Sequence, residues 1–148
     1  MNFLKVLSNL RAAPIAVSNA LHKLSSQAIH DPIVAIRIAT VLEGATCSYY
    51  ATEIAPGKSV TPHYHYQGDE VYIILSGRGS IRTWRTENAE DIAIVQVEQG
   101  DVFNIPSGTV HQLVNTGTQP LVLIFACPPE HLTVDRVIPS SPLASDAS

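Results

Sequence analysis

His63 and His65 sit one residue apart in the stretch PHYHYQGDE, and Glu70 follows five positions after the second histidine. Neutral imidazoles offer nitrogen lone pairs and a carboxylate offers an anionic oxygen, a donor set suited to a divalent transition metal. On an extended strand residues i and i+2 project to the same side, about 6.5–7 Å apart, so His63 and His65 can converge on one atom while Tyr64 points away. Glu70 lies an odd number of positions from both, and an unbroken strand would send it to the opposite face. The turn formers Gln67, Gly68 and Asp69 reset that parity, so that Glu70, Tyr72 and Ile74 face inward on the returning strand. Burying two imidazoles and a carboxylate without partners costs several kcal/mol, a cost that a divalent cation removes.

A fourth donor is available in GDVFNIPSGTVHQLVN. There the turn Pro106-Ser107-Gly108 leads into a strand that places His111, Leu113 and Asn115 on one face. Three imidazoles and one carboxylate suit iron, manganese, nickel, copper or zinc, and an octahedral ion held by four protein donors keeps two positions for water, substrate or dioxygen. One such ion per chain is expected, because the sequence offers no second cluster of donors.

The elements that must position these residues are strands. From Ile33 onward the chain reads IVAIRIATVLEG, CSYYATEIAPG, the histidine stretch, GSIRTWRT, DIAIVQVEQG, VFNIP, TVHQLVNTG and PLVLIFACPP, punctuated by Gly, Pro, Asn and Asp. Many short strands at that spacing predict an all-β sandwich or barrel. Before them, residues 2–12 and SNALHKLSSQAI carry apolar residues at helical spacing, which predicts two short helices. The expected organisation is an N-terminal helical or extended segment over residues 1–32, packed on the barrel or on a partner. A barrel follows over 33–130, and a flexible small-residue tail over 131–148. VYIIL and PLVLIFAC are apolar on both faces, so the N-terminal helices or a second copy of the chain must cover the outside of that sheet, and a homodimer is expected.

These residues carry a family resemblance. Gly57, His63, His65, Glu70 and Gly77 fit the first cupin motif, G(x)5HxH(x)4E(x)6G, and Gly100, Pro106, Gly108, His111 and Asn115 fit the second, G(x)5PxG(x)2H(x)3N, at every spacing. The chain therefore resembles the small single-domain cupins. The resemblance implies a jelly-roll (double-stranded β-helix) barrel with His63, His65, Glu70 and His111 as metal ligands and Asn115 in a structural role. The 22 residues between Gly77 and Gly100 exceed the shortest cupin spacers, which predicts an extended hairpin around residues 86–91. Barrels of this family include dioxygenases, decarboxylases, isomerases, lyases, metal-free epimerases and sugar-binding or sensor modules, so the resemblance fixes fold and ligands better than activity.

The expected function is that of a metalloenzyme acting on a small oxygen-rich molecule, of dioxygenase, decarboxylase, lyase or isomerase type. Glu70 is its candidate catalytic residue, as a ligand or, when displaced, as a base. The alternative is a module that binds a ligand without turnover. Three neutral imidazoles and one carboxylate leave a divalent site near +1, which favours an anionic ligand that donates one or two oxygens. Tyr72, on the Glu70 face, is the first candidate for the pocket wall, with Tyr50, Arg82 and Trp84 as further candidates. His22, His30 and His131 lie outside both motifs and read as ordinary helix, loop or tail residues.

At 148 residues, 45% hydrophobic and 15% charged, with a net charge of −4, the chain supports one domain with a core. It offers no basic face for nucleic acid or an anionic membrane. No helix pair of DNA-binding type stands beside the barrel, and no apolar run approaches the ~18 residues of a membrane span. The two cysteines, Cys47 and Cys127, are too far apart in sequence for a zinc motif and read as buried reduced thiols. A cytoplasmic protein is expected, with organelle import the alternative raised by an N-terminus free of acidic residues.

Overall fold

The computed structural model describes residues 12–140. The first of the two expected helices, over residues 2–12, lies outside them except for its last residue. The second is present as α1, Ala20–Gln27, where the Asn19 side chain caps the first turn by accepting a hydrogen bond from the His22 amide at 2.9 Å. Leu24 is its buried residue, and the helix lies against the second and third strands.

Among the described residues nine strands follow: β1 Ile29–Asp31, β2 Ile36–Leu42, β3 Ser48–Ile54, β4 Glu70–Ser76, β5 Arg78–Arg85, β6 Asn88–Glu98, β7 Val102–Ile105, β8 Val110–Asn115 and β9 Leu121–Cys127. All are paired antiparallel, in a six-stranded sheet of order β1-β2-β3-β9-β4-β7 and a three-stranded sheet of order β6-β5-β8. Residues 59–63 extend the smaller sheet by bridging to β8, Ser59 opposite Val114 and His63 opposite His111. This is the all-β jelly-roll architecture expected from the sequence. The expected extended hairpin is β5–β6, closed by a two-residue turn at Thr86 and Glu87. β1, too short to leave a periodic signal, was not foreseen.

Gly77 takes the chain from the larger sheet to the smaller one. Its φ is +84°, a left-handed conformation that favours glycine, and a Cβ there would sit 2.5 Å from the Pro120 carbonyl oxygen. The inward-facing residues of both sheets form one core, in which Tyr72, Ile74, Leu123 and Phe125 meet Ile81, Val97 and Leu113. Asn115 ties off the end of β8. Its Nδ2 donates to the carbonyls of Ile54 and Gln119, both at 2.8 Å, and its Oδ1 accepts from the Gly117 amide at 2.9 Å, which is the structural role read for it.

Two sequence expectations need correction. Cys47 is exposed, and only Cys127 is buried. Residues 131–140 are not a loose tail where the structure describes them: His131 is 1% exposed, and Tyr64 and Val137 exchange both backbone hydrogen bonds, at 3.0 and 2.9 Å. The outer faces of β4 and β9 are as apolar as their sequences indicated, with Val71, Ile73, Val122 and Ile124 only partly covered.

Candidate metal centre

The structure brings His63, His65, Glu70 and His111 together, all four buried, with one donor atom from each lying within 4.8 Å of the others. His63 and His111 meet through the bridge between residues 59–63 and β8. His65 follows at the same side of the chain, and Glu70 opens β4, whose alternating burial places Glu70, Tyr72 and Ile74 inside. The turn over residues 66–69 makes the parity change that this requires.

Each imidazole is oriented by its Nδ1, which lies 2.8 Å from the Thr61 carbonyl for His63, 2.5 Å from the Asp135 carbonyl for His65 and 3.0 Å from the Thr109 carbonyl for His111. A carbonyl oxygen can only accept, so Nδ1 carries the hydrogen in all three rings, and each neutral ring turns the lone pair of Nε2 inward. Glu70 Oε2 lies 3.2 Å from His65 Nε2 and 3.3 Å from His111 Nε2, and these three buried atoms have no hydrogen-bond partner among the described residues. Lone pairs facing one another at that distance repel unless a cation lies between them. Two donors each about 2.1 Å from one ion and at right angles to each other are about 3 Å apart, close to the spacing observed. The residues therefore fit a metal ion, and the four side chains can hold one.

The electrostatics agree. Burial, reinforced by the neighbouring His111, pushes the His63 imidazole down from 6.5 to about 3, which keeps it neutral and able to ligate. Burial alone would push the Glu70 carboxyl up. The net direction is down, because the two imidazoles beside Oε2, His111 and His65, outweigh burial. Burial also raises the Tyr72 phenol, so it stays protonated.

A cavity of about 30 Å³ adjoins the cluster, with His63, His65 and Glu70 in its wall and Tyr72, Leu113 and Phe125 among its apolar lining. One water needs roughly 10–15 Å³ in the same measure, so the space admits a molecule of a few atoms. Of the pocket candidates read from the sequence, only Tyr72 lines it. Tyr50 is buried in the core with its ring stacked on Phe125 at 5.1 Å; Arg82 is exposed on β5, opposite Ile94 and Gln112; Trp84 is buried beside Tyr64 and Val137. The strand alternation that left Tyr50 and Trp84 ambiguous is decided by which sheet face meets the core.

Sequence reasoning missed three residues. His131 lies parallel to His65, ring centroids 3.8 Å apart and planes 4° apart; Asp135 supplies the carbonyl for His65; Arg136 lines the cavity and pairs with Asp31 at 2.7 Å. After β9 the chain has no period to read, and the only available signal was a run of polar side chains among Leu132, Val134 and Val137.

The Cupin domain family matches residues 50–127. The chain is 31% identical over 115 residues to the oxalate-binding protein of Thermotoga maritima, covering 78% of each chain. It is 32% identical over 71 residues to germin-like protein 5-1 of Oryza sativa, covering 48% of this chain and 31% of that one, so it spans about a third of that relative's length. Among solved structures, an uncharacterized conserved protein with a double-stranded β-helix domain from Klebsiella pneumoniae shares the fold, with a TM-score of 0.64 at 16% identity over 86% of this chain and 100% of the other. No helix among the described residues is long and apolar enough to cross a membrane. Motifs, sheet order and family match agree: the chain belongs to the cupin family.

Proposed function

We propose that the protein holds one divalent transition metal on His63, His65, Glu70 and His111 and uses it to bind and transform a small anionic oxygen donor of the oxalate type. The observation that carries this reading is the set of inward-facing, unpartnered donor atoms beside a cavity of about 30 Å³. A bound divalent ion supplies Lewis-acid polarisation of a ligand oxygen and, if redox-active, a site for dioxygen. The chain does the rest. Phe125, Leu113 and Tyr72 exclude bulk water and limit the ligand to a few atoms, while the Arg136 guanidinium favours an anion. The name of the Thermotoga relative supports oxalate as the first ligand to try.

Glu70 is the one carboxylate in the cavity wall. Proton transfer by the protein falls to Glu70, to the Tyr72 hydroxyl or to His131, whose ring also lines the cavity and whose Nδ1 has no hydrogen-bond partner among the described residues. The second reading is a module that captures the ligand without turnover.

The test is metal analysis of the protein as isolated, then oxygen uptake and carbon dioxide release with oxalate and small hydroxy-ketones once the native metal is restored. Turnover supports the enzyme. Tight binding without turnover favours the binding module, and protein that takes up no metal overturns both.

A further inference from the structure

The three imidazoles are not supported alike. His63 and His111 each reach the carbonyl two residues back on their own segment, Thr61 and Thr109. The corresponding acceptor for His65 would be the His63 carbonyl, which instead accepts the His111 amide at 2.9 Å. His65 depends instead on Asp135, seventy positions away, whose carbonyl lies 2.5 Å from Nδ1.

The segment that delivers this carbonyl grips the whole histidine turn. Asp135 Oδ1 accepts the Tyr66 amide at 2.7 Å and Oδ2 accepts the Gln67 amide at 2.9 Å. His131, in the short 3-10 turn Pro129–Leu132, stacks on the His65 ring and donates from Nε2 to the Gln67 carbonyl at 2.6 Å. Tyr64 is held by its two bonds with Val137. Residues 64–67 thus have their outward side occupied by residues 131–137, none of which is among the four clustered donors.

We propose that Asp135 and His131 are positioning residues for His65, and that the segment 131–137 acts as a strap whose docking sets the tautomer and ring plane of this one ligand. Filling of the metal site is then conditional on the strap. With it displaced, His63 and His111 keep their local acceptors and the site falls from three imidazoles to two. The proposal rests on reading the four side chains as a metal site.

The test uses the full chain with Asp135→Ala, Asp135→Asn and His131→Phe, and Arg82→Ala on the exposed face of β5 as a control. Zn²⁺ affinity is measured by chelator competition, and the number of bound imidazoles is counted from the nitrogen couplings of the Cu²⁺ form. Losing an outer partner of a metal ligand typically weakens binding ~10–100-fold. Asp135→Ala keeps the main-chain carbonyl but removes both carboxylate bonds that hold it against the turn, so a loss of that order is expected as the strap lifts, with the imidazole count falling to two. Asp135→Asn keeps an oxygen for one amide, and His131→Phe keeps the stacked ring, so both should lose less, and they carry the test if Asp135→Ala does not fold. A strap that only supports the fold would lower Tm while leaving three imidazoles and unchanged affinity, which overturns the proposal. In the metal-free protein, nitrogen-15 spectra of the His65 ring report Nδ1–H directly. Loss of that tautomer in the Asp135 variants, in a protein that takes up no metal, would sink the metal reading and leave the positioning of His65 standing. An unchanged tautomer overturns the positioning itself.

Discussion

His63 and His111 exchange both backbone hydrogen bonds, 2.9 Å from the His111 amide to the His63 carbonyl and 3.2 Å in the return direction, and their rings lie 4.4 Å apart between centroids. One bridge therefore aligns two donors from segments far apart in sequence. Replacing either residue with Ala removes a ligand without removing the bridge, since the bonds are made by the main chain. Metal affinity should fall by more than the ~10–100-fold typical of losing an outer-shell partner, and the holoprotein should lose the part of its Tm that depends on metal. Metal content per chain after gel filtration checks this. Full occupancy in the double variant His63→Ala/His65→Ala would show that the ion is held elsewhere.

The burial that keeps His63 neutral and able to ligate should also make the metal-free fold acid-sensitive. Below its ordinary value of 6.5 the unfolded chain takes up a proton at His63, whereas the folded chain does not until about pH 3. The unfolded state binds more protons in that window, so stability falls as pH drops, by ~1.4 kcal/mol per pH unit for one proton. Glu70 acts with the same sign below 4.5, because its folded value is lowered and the unfolded chain protonates first. Urea unfolding of the metal-free protein at steps from pH 7 to pH 4 should show this slope, and His63→Gln should flatten it. Stability independent of pH over that range would mean that the cluster is hydrated or already protonated.

Most of this centre was legible in the sequence, for a physical reason. The parity of a strand is a hard constraint, so His63, His65, Glu70 and Tyr72 could be assigned to one face from their spacing and one turn. Hydrogen-bond partners supplied from another part of the chain leave no such trace. The carbonyl of Asp135 is chemically the same as any other, and only the docking of an aperiodic segment brings it to His65. Tyr50 and Trp84 show the intermediate case. Both are buried, as aromatic strand residues should be, yet facing the interior of a two-sheet sandwich is not the same as facing its one small cavity. The expected homodimer is a further expectation of this kind, legible as an apolar face but not as the partner on it.

That face makes its own prediction. Ile73 pairs with Ile124 on one side and Val102 on the other, all on the outside of the larger sheet, and Val102 is 62% exposed. A row of β-branched side chains across three adjacent strands is an unfavourable surface to leave in water, and a second copy of the chain would cover it symmetrically, so a homodimer is predicted. Sedimentation equilibrium should give about twice the chain mass. Ile73→Lys, which sets a charge in the middle of the row, should shift the protein towards monomer with its metal content unchanged. A wild-type monomer at high micromolar concentration would rule the dimer out.

Arg136 gives the sharpest statement about the ligand. Its side chain is only 7% exposed, Nη1 donates to Asp31 Oδ2 at 2.7 Å, and among the described residues it is the one Lys or Arg in the cavity wall. Asp31 also accepts the Ile33 amide at 3.0 Å, so the carboxylate is fixed and holds the guanidinium in place. With a divalent ion on the four donors, a guanidinium fixed beside them would attract a carboxylate whose oxygens also reach that ion. A hydrogen bond to a charged group is worth about 1.5–3 kcal/mol, so Arg136→Met should weaken oxalate binding ~10–150-fold while leaving metal affinity intact. Arg136→Lys should recover part of the loss, since it keeps the charge but not the planar fork. Asp31→Asn separates orientation from charge: if Asp31 only neutralises the arginine, its removal tightens oxalate binding, and if it aims the guanidinium, its removal weakens it. The Mn²⁺ spectrum of the loaded protein, followed during oxalate addition, reads all four proteins in one titration. Equal response from wild type and Arg136→Met would confine ligand recognition to the metal and its four donors.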